Sequence, residues 1–429
     1  MTILKPVRLK TLSQKDFERL QKRGLSDLED VRKTVIEIVE NVKSRGDTAL
    51  IDYTRLYDGV ELNVESLRIP REEMDLAYNT LDSTVVEVME FIHSLVEKVS
   101  LGLLPENRLL ELERGLQIYV VWKPIERVGI YIPGGANPYP STILMTVTLA
   151  KIAGVSRVVV CTPPRNVKPV VLAAMKIAGV DEAFRVGGAQ AIAAMAYGTE
   201  TIPKVDKIVG PGGLYVEMAK RVVYGDVGVD LPAGPSEILV LADDSADPML
   251  VAADLLSQAE HSSSSAILVS TSEKLALEVS KILDTMVDSN TLESFKRGGL
   301  FIADSLEEAV EFVNSYAPEH LEILFEKPGE VLKMIKNAGS VFIGSLTPVS
   351  LGDYATGVSH VLPTGGAARF SSGLNPLHFM KSMIVQMADL DRFKMLKRFA
   401  EVMANIEGFK MHYNALKARD SLNSLQFKR

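Results

Sequence analysis

From Val128 onward the chain alternates short apolar runs, closed by glycine or proline, with small-residue segments of helical spacing, and this alternation leaves few folds open to it. Apolar runs of that length, bounded by turn residues, read as parallel strands covered on both faces by crossover helices. One fragment repeats. Lys151-Ile-Ala-Gly-Val155 leads into RVVVCTPP, and Lys176-Ile-Ala-Gly-Val180 leads into EAFRVGGAQ. Each copy reads as a helix end, a glycine free to take positive φ, and then a strand, so two successive βα units are the simplest account. KIVGPGG followed by LYVEMAKRVVYG makes a third.

At 429 residues the chain exceeds what one hydrophobic core supports, so more than one domain is expected. Residues 1–120 carry apolar positions three and four apart, as in VRKTVIEIVENVKSRGDTALIDYTRLYDG, and predict a charged helical region that packs partly on the second α/β domain. Residues 121–234 predict a Rossmann-like domain. After LPAGPSE the alternation resumes with ILVLADD, AILVST, GLFIADS, LEILFE and SVFIGS, which predicts a second Rossmann-like domain over 235–378. Residues 379–429 read as amphipathic helices with little core of their own. The fold class is therefore α/β, two Rossmann-like parallel-sheet domains with helical appendages at both ends.

Charge and cysteine content narrow the function. A net charge of −8 argues against nucleic acid or an anionic membrane surface as partner, which leaves a small molecule. Cys161 is the single cysteine, so no intrachain disulfide forms and a thiolate metal cluster lacks ligands. The opening MTILKPVRLKTLSQKDF is interrupted by charges, and no stretch approaches the roughly 20 apolar residues of a membrane span, so a cytoplasmic protein is expected.

Six histidines are present. His93, within FIHSLVEKV, lies among helical apolar positions and reads as structural. Gln258 and His261 in LLSQAEHSSSS are three apart at a helix end, so an amide oxygen and an imidazole could share one cation, or His261 could cap the helix carbonyls. Ala317-Pro-Glu-His-Leu321 places Glu319 and His320, two proton-transfer groups, on what reads as an exposed connection between a helix and a strand. Asp353 and His360 fall in a glycine-punctuated loop, GDYATGVSHVLPT, where the carboxylate is either a hard metal ligand or an Asx-turn residue. Glu407 and His412 in EGFKMH read alone as a polar helix face. Three glycine-rich turns, PGGANP, GGAQ and GPGG, follow strands of the first α/β domain. Their backbone N–H groups could cradle phosphate, which points to a ligand at the carboxyl ends of those strands.

Taken together, VGIYIPGG, GGAQAIAAMAYGT, KIVGPGG, DLPAGPSEILV, LLSQAEH, APEHLEI, GDYATGVSHVLPTGG and EGFKMH resemble the histidinol dehydrogenase family over nearly the whole chain. The resemblance implies zinc- and NAD-dependent oxidation of L-histidinol through L-histidinal to L-histidine, with two NAD⁺ consumed. It implies zinc ligands Gln258, His261 and Asp353 from one subunit and His412 from a homodimer partner. It further implies substrate contacts from those ligands, Ser236, His320 and Glu407, with His320 as the base for the hydroxyl proton and Glu319 activating water. Tyr131 and Gln190 match the NAD site, whereas Gly213 stands where the family motif has asparagine. Cys161, in an apolar strand, reads as core packing, consistent with an aldehyde oxidised through a gem-diol and no thiol nucleophile. Two other classes fit the same residues, a zinc hydrolase or deaminase driven by Glu319 and a non-catalytic two-lobed binding protein.

Overall fold

The computed structural model describes residues 4–23, 28–134, 137–232, 234–261 and 263–421. Its strands, in chain order, are β1 (Val7–Arg8), β2 (Arg68–Ile69), β3 (Arg108–Glu113), β4 (Leu116–Pro124), β5 (Arg127–Tyr131), β6 (Arg157–Cys161), β7 (Glu182–Phe184), β8 (Lys207–Val209) and β9 (Gly228–Val229). They continue with β10 (Glu237–Ala242), β11 (Ser265–Ser270), β12 (Gly299–Ile302), β13 (His320–Leu324), β14 (Ser340–Ile343) and β15 (Met380–Ala388). The chain divides into two compact units, one of Met1–Leu103 with Ile125–Phe379 and one of Leu104–Pro124 with Met380–Arg429.

The larger unit holds two six-stranded sheets, ordered β2-β7-β6-β5-β8-β9 and β1-β12-β11-β10-β13-β14. Apart from the antiparallel edge strand β2, every pairing in both is parallel. Each core sheet runs outward from a central strand, β5 or β10, in one direction and then reverses, which is the doubly wound order of a Rossmann-like fold. The expected α/β class is borne out. The repeated KIAGV fragments close the helices Pro140–Ile152 and Pro169–Ala178, and Gly154 and Gly179 hold φ of 90° and 75°. A Cβ disfavours that region, which is why each helix turns into its strand at glycine.

The first 120 residues are not helical throughout. β1 extends the second sheet, β2 edges the first, and β3 with β4 forms a hairpin of the smaller unit. The Leu28–Arg45 helix buries Val31, Val35, Ile38 and Val42 in the core of the first sheet, with Ile192 and Val216, whereas Leu9 and Leu20 join the core of the second. In the smaller unit β15 pairs with β4 along its whole length, ahead of the helices Leu390–Ile406 and Lys410–Lys417. The alternation of β15 is masked in sequence because nearly all of its residues are exposed, so no buried face imposes a period of two. No helix among the described residues is long and apolar enough to cross a membrane.

Candidate active site

β10 and β13 lie side by side, with Ile238 opposite His320, so Glu237 and Glu319 stand at the amino ends of two neighbouring central strands. There the two residues clasp each other. The Glu237 N–H donates to Glu319 Oε2 at 2.7 Å, and the Glu319 N–H reaches Glu237 Oε2 at 3.4 Å. The Glu237 carbonyl lies 2.9 Å from His320 Nδ1. A carbonyl only accepts, so Nδ1 carries the hydrogen and the lone pair of neutral His320 sits on Nε2. Nε2 is buried without a hydrogen-bond partner, 3.4 Å from Asp353 Oδ1. Burial opposes charge on His320, but the Glu319 and Asp353 carboxylates outweigh it and hold its proton affinity well above the usual imidazole range.

Glu319 and His320 are 5% and 3% exposed, which corrects the expectation of an exposed connection. The approach through Pro318 is short, and His320 already belongs to the ladder between β10 and β14. Asp353 is likewise not in a loop but in the helix Val349–Ala355. Gly352 serves packing there rather than a turn, because a Cβ on it would run into the Phe342 ring. His360 Nδ1 donates to the Asp353 carbonyl at 3.0 Å, and His360 Nε2 lies 3.0 Å from Thr142 Oγ1. Burial raises the Asp353 carboxyl, but the close approach of His320 and the charges of His320, His360 and His261 bring it below the usual carboxylate range.

Gln258 is buried in the last turn of the helix Pro248–Ala259, which packs against the Asp353 helix. His261 follows the helix end; its backbone N–H, not its ring, closes the Gln258 carbonyl at 3.2 Å, and the residue is exposed. The imidazole is therefore free to act as a ligand. Ser236 precedes Glu237 and accepts the Ser265 N–H at 3.0 Å. Among the described residues no three His, Cys, Asp or Glu side chains cluster as a metal site. Gln258, His261 and Asp353 would supply one amide, one imidazole and one carboxylate if they met at one cation, donor chemistry that suits a divalent ion of zinc type with one more ligand.

The first sheet presents the opposite edge. Tyr131 ends β5, and its hydroxyl accepts the Gly188 N–H at 3.1 Å; burial pushes that phenol up to about 12. Gln190 is buried two residues into the helix Gly188–Tyr197. In GPGG, Gly210 donates to Asp230 at 2.7 Å and accepts from Lys220 at 3.1 Å, and the Lys220–Asp230 ion pair behind it is buried at 2.6 Å. Gly213 caps the helix Leu214–Val223 at φ −71°, with open space where a Cβ would stand. Of PGGANP, Gly135 and Ala136 lie outside the described residues, as does Ser262 after His261. Cys161 is fully buried, and burial pushes its thiol well above the usual range, so it offers no nucleophile.

In the smaller unit, Glu407 ends the Leu390–Ile406 helix and His412 lies in the next, its ring 5.2 Å from that of Phe409. Phe393, Met403, Glu407, Phe409 and His412 line one cleft. Glu237, Arg23 and the Lys220–Asp230 pair went unnoticed in the sequence, and His360 was singled out there without a partner for its ring. An acidic residue opening the apolar run EILVLA was a usable signal for Glu237; Arg23 had none.

The histidinol dehydrogenase family profile matches residues 21–420. Histidinol dehydrogenase of Methanosarcina mazei is 43% identical, with 98% of each chain covered, and that of Methanopyrus kandleri is 44% identical, with 95% of this chain and 98% of the relative covered. The crystal structure of histidinol dehydrogenase from Elizabethkingia anophelis superposes with a TM-score of 0.90 at 35% identity, covering 95% of this chain and 96% of that one. On these grounds the chain belongs to the histidinol dehydrogenase family, a family of oxidoreductases.

Proposed function

We propose that the protein oxidises L-histidinol to L-histidine through L-histidinal, consuming two NAD⁺ and requiring one Zn²⁺ per site. The observation that carries this reading is His320, whose Nδ1 is held by the Glu237 carbonyl while its buried Nε2 has no hydrogen-bond partner and faces Asp353. When bound, NAD⁺ would accept the hydride that leaves the carbinol carbon, and Zn²⁺ would supply Lewis-acid charge that fixes the substrate. Gln258, His261 and Asp353 would hold the metal with His412 of a second copy, and Ser236 and Glu407 would contact the substrate.

His320 Nε2 takes the hydroxyl proton, and the neighbouring carboxylates stabilise the imidazolium that results. Glu319 takes a proton from the water that adds to the aldehyde, and the gem-diol so formed loses the second hydride. Water supplies the new oxygen, so the balance is one alcohol, one water and two NAD⁺ in, and one carboxylate, two NADH and three protons out. Tyr131 and Gln190, with the backbone around Gly213, line the expected cofactor edge.

Two NADH should form per L-histidinol, and a chelator should abolish the signal until Zn²⁺ is restored. A zinc-loaded protein that yields no NADH, yet hydrolyses or deaminates small amines, would replace this reading with the hydrolase one.

A further inference from the structure

Arg23 follows the helix Gln14–Lys22 in the left-handed region, at φ 45° and ψ 38°, a conformation disfavoured for a residue with a Cβ. What holds it there is its buried guanidinium. One nitrogen meets Glu237 Oε2 at 2.5 Å, the other reaches the Tyr316 carbonyl, and the plane lies 3.6 Å over the Tyr316 ring. The other oxygen of Glu237 accepts the Gly365 N–H at 2.8 Å. The Glu237 carboxylate is thus anchored at both oxygens, while its own N–H and carbonyl hold Glu319 and His320.

We propose that Arg23 is a positioning residue for the reaction, one that anchors and neutralises Glu237 so that its peptide orients the Glu319–His320 pair. The inference rests on the reading of that pair as the proton-transfer groups. Glu237 and Glu319 are 2% and 5% exposed and share one reciprocal clasp, so two carboxylates crowd a site that water hardly reaches. Among the described residues Arg23 is the permanently charged cation paired with Glu237, while His320 Nδ1 lies 3.4 Å from Glu319 Oε2. Without it the carboxylates repel, the clasp opens, and the carbonyl that sets the His320 tautomer moves. A packing staple between the N-terminal arm and the sheet would instead affect stability alone.

The two roles separate in Arg23→Met, Glu237→Gln and the double variant. In Arg23→Met, kcat with L-histidinol should fall about 10-fold to 100-fold, with bound zinc and KM for NAD⁺ near wild type, because the cost is misorientation. The double variant should recover most of that loss, since a neutral amide no longer repels Glu319. Nitrogen-15 spectra of histidine-labelled protein, with His320 assigned by subtraction in His320→Asn, should show a hydrogen held on Nδ1 in wild type and the double variant and its loss in Arg23→Met. Wild-type kcat in Arg23→Met, or a double variant no better than Arg23→Met, overturns the proposal. Should Arg23→Met not fold, Arg23→Lys keeps the charge but loses the fork, and kcat should fall about threefold to tenfold; an unchanged kcat there also overturns it. If wild type makes no NADH from histidinol, the functional reading fails, and the nitrogen-15 signal alone decides the role of Arg23.

Discussion

Gly213 shows how a single residue separates what a backbone requires from what a motif contains. Its φ is ordinary, nothing stands where a Cβ would go, and it caps its helix without a side-chain hydrogen bond. Glycine is therefore not needed for the turn, in contrast to Gly210, where φ is 116° and a Cβ would run into the Tyr131 carbonyl oxygen. Asparagine at 213 should fit and cap the helix better than glycine by a few tenths of a kcal/mol. Gly213→Asn is expected to raise the melting temperature slightly and lower KM for NAD⁺ severalfold, measured by calorimetry and steady-state NADH formation. An unchanged KM would mean that the cofactor does not approach this helix. The residue types at the site were readable in sequence, yet the partners of His320 were not, because Glu237 lies 83 positions away and acts through its peptide, which carries no side-chain signature.

At the scale of elements, the two sheets use opposite edges. Ligands in doubly wound folds gather at the carboxyl ends of strands, and the glycine turns of the first sheet obey that rule. The second sheet places Glu237, Ser265 and His320 at amino ends instead, fed by the carboxyl end of the Gln258 helix. β13 also carries Glu322 on the same face as His320, 1% exposed, with neither carboxyl oxygen hydrogen-bonded and the Asp254 charge of the Gln258 helix acting on it. Burial, and then the Asp254 charge, push its carboxyl from the usual 4.5 up to about 9. Between those two values the folded protein keeps a proton that the unfolded chain releases, so stability falls as pH rises through the window. Glu322→Gln retains a neutral hydrogen-bonding side chain and removes that dependence. Melting temperatures from about pH 6 to about pH 9 should decline more steeply for wild type than for the variant, and parallel slopes would remove the buried acid from the account.

For the molecule as a whole, the smaller unit leaves Ile406 and Met411 73% and 77% exposed, beside Glu407 and His412. Apolar side chains in that number on two amphipathic helices ask for a cover, and a second copy of the chain is the proposed one. If His412 completes the site of its partner, mixing inactive His320→Asn with inactive His412→Asn subunits should restore up to about a quarter of wild-type activity, because random exchange makes half the dimers hybrid and each hybrid holds one intact site. Hybrids shown to form by mass spectrometry, yet inactive, would mean that His412 does not complete the site of its partner.

Apolar runs of strand length, the repeated KIAGV, and glycines at helix ends determined the two doubly wound sheets, since hydrophobic period and positive φ are local properties. The β3–β4 hairpin and β15 stayed hidden because β3 and β15 are exposed almost throughout and β4 is evenly half-buried, so no buried face imposes a period. Only the tertiary structure decided that Glu319 and His320 are buried, that Asp353 rides on a helix, and that Arg23 reaches Glu237 from 214 positions away. Burial and charge pairing belong to the packed interior, where segments distant in sequence meet and water is excluded, and a one-dimensional pattern holds no record of which segments meet.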